Sequence, residues 1–333
     1  METLVLAGDV GATKTDLAIF SAEAGPRAPL AQSTVATANY ASLESLVGEF
    51  LAQAKRRVDR AVFAVAGPVI DGRVTATISH LPWKLDRDHI RQALGFTSIE
   101  LMNDLEATAQ AVPHLQPDEL YTLNIGRSIA GSAIAVIAPG TGLGEAFLVW
   151  DGARYHTCAS EGGNVDFAPL NSFQAELLRY VRRSHDHVSY ELVCSGMGIP
   201  NIYAFLKEGG YADEPAWLSR QLAAADDPTP VIVDAALNRE PGCEICLAAL
   251  GHFISILGAE AGNLAIKVIA TGGVYLGGGI LPRILPILER EKERFLNAFW
   301  NKGIMTEMLL RIPVHIIVEP QAALLGVAWR AFS

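Results

Sequence analysis

The chain is poor in positive charge. Twenty-six Lys and Arg stand against 36 Asp and Glu, a formal net charge of −10 over 333 residues. That balance excludes a protein whose affinity comes from displacing counterions along DNA or RNA. Cysteine is scarce too, with four at positions 158, 194, 243 and 246. Cys243 and Cys246 have zinc-like spacing, but the other two are scattered and no His pair stands at ligand spacing nearby. Ordinary buried thiols and a reducing, cytoplasmic setting are therefore expected. No basic leader precedes the first apolar run in METLVLAGDV, which does not read as a signal peptide. The most apolar later stretch, ICLAALGHFISILGAEAGNLAI, carries His252 and Glu260. It reads as falling short of a membrane span of about 20 clean apolar residues. Neither G-x-x-x-x-G-K-S/T nor G-x-G-x-x-G occurs, which removes the P-loop and the dinucleotide-binding turn. Low-complexity tracts are also missing: half the residues are hydrophobic and 19% are charged. At roughly 100–200 residues per domain, the length predicts two.

What the chain does have is glycine, 30 residues of it, gathered into turns. In LVLAGDVGATKTDLAIF two apolar runs that read as β-strands are joined by more glycine and hydroxyl than a two- to five-residue hairpin requires. SAIAVIAPGTGLGEAFLVWDG repeats that design in the second half, with Gly140, Thr141 and Gly142 in the turn. Both turns open strands and not helices, so a dinucleotide fold is disfavoured. Two such loops are suited to grip a polyphosphate through backbone N–H groups and the hydroxyls of Thr13 and Thr141. A third glycine cluster, at 272–279, would let a nucleotide approach the backbone.

Between the glycine turns the pattern alternates strands and helices. ASLESLVGEFLAQA places apolar residues at 43, 46, 47, 50 and 51, an amphipathic helix with Ser42 as N-cap. RAVFAVAGPV reads as a buried strand, and LDRDHIRQALGF as a helix leading to the strand SIELM. That strand runs directly into NDLEATAQAVP, so Asp104 is predicted to sit where a strand ends and a helix begins. In open α/β sheets ligands bind at that edge. Asn103 and Glu106 have capping-box spacing, so a helix cap does not need Asp104. Helical stretches dominate from about 171 to 265. IPVHIIVEPQAALLGVAWRAF predicts a strand, a break at Pro320 and a last helix.

DVGATKTDLA, AVAGPVIDG, SHLPW, MNDLEATAQAVP, PGTGLG, EGGNVDF, SYELVCSGMGIPNIY, GGVYLGGGILP and FLNAFWNKG follow one another along nearly the whole chain. Together they resemble the bacterial glucokinase family, within the hexokinase and actin-like ATPase superfamily. The cysteine-rich zinc motif of the related repressor and open-reading-frame kinases is absent, which favours the glucokinase branch. The resemblance implies an actin-like ATPase (ribonuclease H-like) α/β fold of two domains with a cleft between them. A small domain would comprise residues 1–110 plus 320–333, and a large one residues 111–319. It implies ATP-dependent phosphorylation of a hexose, most simply D-glucose to glucose 6-phosphate. ATP and Mg²⁺ are the implied cofactors and a homodimer the implied assembly, with no nucleic-acid or membrane partner.

The same resemblance assigns roles. Asp104 is the catalytic base for the sugar hydroxyl, and Asp9 holds Mg²⁺ through water. Asn103, Glu161, Asn164 and Glu191 bind sugar hydroxyls. Gly8, Asp9, Gly11, Thr13, Gly140, Thr141, Gly142, Gly272 and Gly273 line the nucleotide. Asn164 stands where the family has histidine, and His80 where asparagine is commoner. Lys14 replaces a usual asparagine and Ala12 a usual glycine, which crowds the first phosphate loop by a methyl group. For Lys14 the sequence leaves phosphate contact and solvent exposure both open. His185, Asp186 and His187 lie too close together in sequence to converge on a metal and are expected on an exposed turn. The departures keep a kinase for another hexose, or a broad hexokinase, open as an alternative. A sugar sensor without turnover is the alternative from another class.

Overall fold

The computed structural model describes residues 3–67, 69–74, 83–238, 240 and 242–332. The chain divides into two compact units: Met1–Gln116 with Tyr155–Ala159 and Glu319–Ser333, and Pro117–Arg154 with Ser160–Val318.

The first unit is built on a five-stranded sheet. Its strands are β1 (Leu4–Val10), β2 (Lys14–Ser21), β3 (Ala31–Ala36), β4 (Arg60–Val65) and, after a two-strand ribbon of β5 (Val69–Ile70) and β6 (Arg73–Val74), β7 (Ser98–Asn103). Their order is β3-β2-β1-β4-β7. β1 reads as a nearly continuous apolar run because it is central and covered on both faces, the expected pattern for such a strand. Leu6 and Val10 join a core with Leu17, Phe63 and Ile90, which the helices α1 (Leu43–Ala54) and α2 (Arg87–Leu94) complete. Val5 and Ala7 point the other way and pack with Leu324, Val327 and Ala328 of α12 (Ala322–Ala331). The predicted Ser42 cap forms, accepting from Ser45 N at the start of α1; at α2 Asp86 accepts from the N–H groups of Asp88 and His89. β1, β4 and β7 run parallel, with Val10 opposite Val65 and Val65 opposite Asn103. Their carboxyl ends therefore share one edge, and α3 (Asp104–Ala111) leaves from it. Residues 155–159, which the sequence reading leaves in the large domain, belong to the first unit. Their strand, β11 (Tyr155–Ser160), brings Thr157 Oγ1 within 3.3 Å of Glu106 Oε1 on α3.

In the second unit β8 (Leu120–Asn124), β9 (Ile134–Pro139), β10 (Leu143–Trp150), β12 (Gly273–Leu276) and β13 (Val314–Ile317) lie in the order β10-β9-β12-β13-β8. β9, β12 and β13 are parallel, while β10 pairs antiparallel with β9 and β8 with β13. Helices α4 (Ser172–Val181), α5 (Gly198–Glu208), α6 (Ala216–Ala224), α7 (Pro228–Leu237), α8 (Glu244–Val268), α9 (Ile280–Arg290), α10 (Lys292–Trp300) and α11 (Thr306–Leu309) complete it. One expectation is corrected here. α8, at 25 residues, is long and apolar enough to cross a membrane by length and composition. His252 and Glu260 do not shorten it, because both are held by protein: 78% of its most apolar stretch is buried, His252 stacks on Phe173, and Glu260 pairs with Lys267 at 3.1 Å. All four cysteines are free, with Cys194, Cys243 and Cys246 buried.

Candidate active site

The first strand–turn–strand hairpin is closed from inside. Gly11 N–H donates to the Lys14 carbonyl at 3.0 Å, and Thr37 N–H donates to the Thr13 carbonyl at 3.0 Å. Thr37 Oγ1 donates to the Gly11 carbonyl at 2.8 Å and lies 2.9 Å from Thr15 Oγ1. Thr37 is thus the brace of this loop. The sequence reading did not find it, since nothing local ties a threonine 26 residues away to the turn. Lys14 Nζ pairs with Asp16 Oδ2 at 3.0 Å, and Thr34 Oγ1 donates to Asp16 Oδ1. Lys14 therefore neutralises a buried carboxylate next to the loop. Ala12 packs its methyl group against the unit's core.

At the shared strand edge Asn103 caps α3, its Oδ1 accepting from Leu105 N at 2.9 Å and Glu106 N at 3.3 Å. Its Nδ2 donates to the Gly67 carbonyl at 3.1 Å. Asp104 is the next residue, exposed, with Oδ1 sharing the Leu105 N–H at 2.9 Å. Asp9, partly buried near the end of β1, has its carboxyl pushed up to about 6. Burial is the main cause, followed by the charges of Asp104 and Asp16 and opposed by Lys14. The two carboxylates singled out from the sequence are thus brought within electrostatic reach of each other.

In the second unit the Gly140 N–H closes its own turn on the Gly142 carbonyl at 2.8 Å, and the turn is tied to the start of α5 by Gly196 N to Gly140 O at 2.8 Å. Glu191 Oε2 accepts the Leu143 N–H at 2.9 Å. A Cβ on Gly142 would stand 2.3 Å from that oxygen, so only glycine lets the carboxylate reach the turn. Glu161 and Asn164 are both exposed, Asn164 Nδ2 lying 3.3 Å from Glu161 Oε2. Between them Gly163 accepts the Glu191 N–H at 2.9 Å and presses so close to β10 that a Cβ would fall 1.9 Å from the Leu143 carbonyl oxygen. Glu161, Asn164, Glu191 and the Gly140–Gly142 turn therefore form one surface. Because that neighbour is backbone and cannot rotate away, Gly163→Ala is expected to destabilise by about 3 kcal/mol, the upper end for overpacking. A lowered midpoint in denaturant unfolding checks it.

Three sequence assignments change. Gly8 lies inside β1, opposite Leu17 on one neighbour and Phe63 on the other. A Cβ there would meet the Phe63 ring at 2.5 Å, so the absent side chain makes room for a core phenylalanine. Gly272 and Gly273 stand at the amino-terminal end of β12, where Gly272 N donates to the Ala133 carbonyl at 2.9 Å. β12 runs parallel to β9, so they are at the opposite end of the sheet from Gly140. Gly277, Gly278 and Gly279 occupy the right end: Gly277 N donates to the Ile137 carbonyl at 2.9 Å. Gly278, at φ +84°, packs against the Pro139 carbonyl, and α9 starts directly after Gly279. Their signal was present in GGVYLGGGIL; a loop that follows a parallel strand, not one that precedes it, faces the ligand edge. His80 lies outside the described residues. His187 pairs with Asp166 at 2.9 Å, and His185, Asp186 and His187 are exposed.

One unit carries a glycine hairpin beside carboxylates and the other a glycine hairpin beside exposed polar side chains, and the fold is that of the actin-like ATPases. The glucokinase family model matches residues 6–332. A glucokinase of Nostoc punctiforme is 38% identical over 340 residues, covering 98% of each chain. The crystal structure of a glucokinase from an Antarctic psychrotroph superposes with a TM-score of 0.82 at 32% identity, covering 99% of this chain and 98% of that one. A ROK family glucokinase from Streptomyces griseus, solved in complex with glucose and AMPPNP, shares the fold at a TM-score of 0.65 and 19% identity, with 99% of each chain covered. The chain belongs to the glucokinase family.

Proposed function

We infer that the chain transfers the γ-phosphoryl group of ATP to the 6-hydroxyl of D-glucose, with Asp104 as general base. The observation that carries this reading is a solvent-facing carboxylate at the carboxyl end of a parallel strand, next to a second carboxylate, Asp9, destabilised as an anion. Phosphoryl transfer is mostly positioning and charge stabilisation, and the protein's own part is to orient the nucleophile and take its proton. Asp104 accepts that proton as the sugar oxygen bonds to phosphorus and the bond to the ADP oxygen breaks.

Asp9 suits Mg²⁺. Its carboxyl is raised by burial and by two neighbouring carboxylates, a local excess of negative oxygen that a hard cation relieves. Mg²⁺ bound there would neutralise charge on the phosphate oxygens. Each glycine turn, Gly11–Thr13 in one unit and Gly140–Gly142 in the other, offers N–H groups and hydroxyls suited to phosphate oxygens, with Gly277–Gly279 at the same sheet edge as the second. For the sugar, Asn103 has one amide hydrogen left after its bonds to Gly67, Leu105 and Glu106. Glu161, Asn164 and the second oxygen of Glu191 accept and donate around the ring. Asn164, in place of the family's histidine, is the residue on which selectivity among hexoses turns, because a polar partner matched to a substrate hydroxyl discriminates by large factors.

The test is the initial rate of ADP formation with Mg-ATP across glucose, mannose, fructose, galactose, glucosamine, N-acetylglucosamine and no sugar. Glucose is expected to give the highest rate. A higher rate with another hexose would move the substrate, and binding without ADP from any sugar would leave a sensor in place of the kinase.

A further inference from the structure

Beneath the surface that carries Glu161 and Asn164 lies a buried polar group that the reaction does not use. Glu145 projects from β10 and is 2% exposed. Its Oε2 fills the place of the Gly162 side chain: a Cβ there would stand 1.9 Å away. The Gly162 backbone therefore rests directly on the carboxyl. Glu145 Oε1 finds no hydrogen-bond partner among the described residues.

The neighbour of Glu145 is another acceptor. Glu260, on α8 and fully buried, pairs with Lys267 Nζ at 3.1 Å and accepts from Asn263 Nδ2 at 2.8 Å. Burial and the Glu260 charge push the Glu145 carboxyl up, opposed by Lys267. Two carboxyl groups facing each other in a core are satisfied when one keeps its proton, and that proton is the donor the pair otherwise lacks. The network continues upward. Asn263 Nδ2 also donates to Tyr190 Oη at 2.9 Å, and Lys302 Nζ donates to Asn263 Oδ1 at 2.6 Å. Tyr190 N–H donates to the Val165 carbonyl at 3.1 Å, and Glu191 follows it in sequence. Both sugar-facing segments of this unit thus stand on one polar base. Apolar side chains of the same volume would fill such a base at lower desolvation cost.

We propose that Glu145 is a positioning residue of the sugar site: its carboxyl, backed by Glu260, is the floor on which the Gly162 backbone sits and so sets where Glu161 and Asn164, on either side of that turn, present their polar atoms. The inference rests on the assignment of Glu161 and Asn164 to the sugar. Glu145 acts through the turn and touches no substrate.

Three variants of the full chain test it: Glu145→Leu, Glu145→Gln and Glu161→Gln, each with separate KM values for glucose and ATP and a thermal unfolding midpoint. Glu145→Leu is expected to raise the glucose KM about ten-fold or more, as displaced positioning groups do, with the ATP KM within two-fold of wild type. Glu145→Gln keeps the length of the side chain and places an N–H₂ donor toward Glu260, and is expected to restore the glucose KM to within about three-fold. If Glu145→Leu does not fold, Glu145→Asp asks the same question with the acid kept and the arm one methylene shorter. A glucose KM unchanged in the folded Leu or Asp variant overturns the proposal, as does a Gln variant no better than Leu, or glucose and ATP KM values rising together. If Glu161→Gln leaves the glucose KM unchanged, the sugar assignment itself falls. If only Glu161→Gln raises it, the assignment stands and the role of Glu145 falls alone.

Discussion

Asp104→Asn is expected to lower kcat for glucose phosphorylation by about 10²–10⁴-fold, the range a positioned general base supplies. The substitution is nearly isosteric. Asparagine can still accept the Leu105 N–H that Asp104 Oδ1 takes at 2.9 Å. The cap of α3 is carried by Asn103, which holds the N–H groups of Leu105 and Glu106. Folding should therefore lose the charge–dipole contribution at the helix start, about 0.3–1 kcal/mol, offset in part because the charge that repels Asp9 is also removed. A large fall in kcat with the unfolding midpoint nearly unchanged separates chemistry from structure. Single-turnover measurement of ADP with saturating glucose and Mg-ATP makes the comparison, and a kcat within ten-fold of wild type would remove Asp104 from the base role.

Asp9→Asn should move activity and stability in opposite directions. With the carboxylate gone, Mg-ATP turnover is expected to fall by about 10² or more, since a metal at the phosphates supplies several kcal/mol of charge stabilisation. The metal-free protein, in contrast, should become more stable at neutral pH. A carboxyl carried from 3.8 to about 6 on folding costs the folded state up to about 3 kcal/mol once it is ionised. The sign follows from proton counts. Between those two values the folded state holds the proton and the unfolded state has lost it, so the stability of the wild type falls as pH rises through the window. Below about pH 4 both states are protonated and the variant gains nothing; the gain grows to full size above about pH 6. Unfolding in chelator at pH 4, 5, 6 and 7.5 reads it directly. An equal gain at every pH, or none, would mean that Asp9 is not held against its own charge. On the proposed reading, the carboxylate that costs the metal-free protein stability is the one that would hold Mg²⁺, a common form of the trade between stability and activity.

Part of what places Asp104 and its helix is local in the chain. Ser42 as the cap of α1 and the abrupt passage from SIELM to NDLEATAQ rest on interactions within a few residues, where sterics and local hydrogen bonds decide. The position of Asp104 at a strand's carboxyl end belongs to that class. The buried base of Glu145 and Glu260 does not. Glu145 sits in an apolar strand and Glu260 in an apolar helix more than 100 residues later, and only packing shows that they meet under Gly162. The sequence pattern also misjudged α8, taking its charged residue as a sign of insufficient apolar length when that charge is paired in the core.

Glycine marks the boundary between what the sequence alone determined and what tertiary structure decided. The sequence by itself determined that two strand–turn–strand hairpins exist, that each is too rich in small residues for closure alone, and that the ordered motifs belong to sugar kinases. Those are properties of local chain geometry and of order along the chain. Which glycines serve the site and which serve packing depended on strand order, direction and register. Gly8 is a gap for Phe63, Gly163 a point of contact with the Leu143 carbonyl, and Gly277–Gly279, not Gly272–Gly273, share an edge with Gly140. Each of those outcomes is set by a contact with a residue distant in sequence, and a missing side chain carries no sign of what will fill its place.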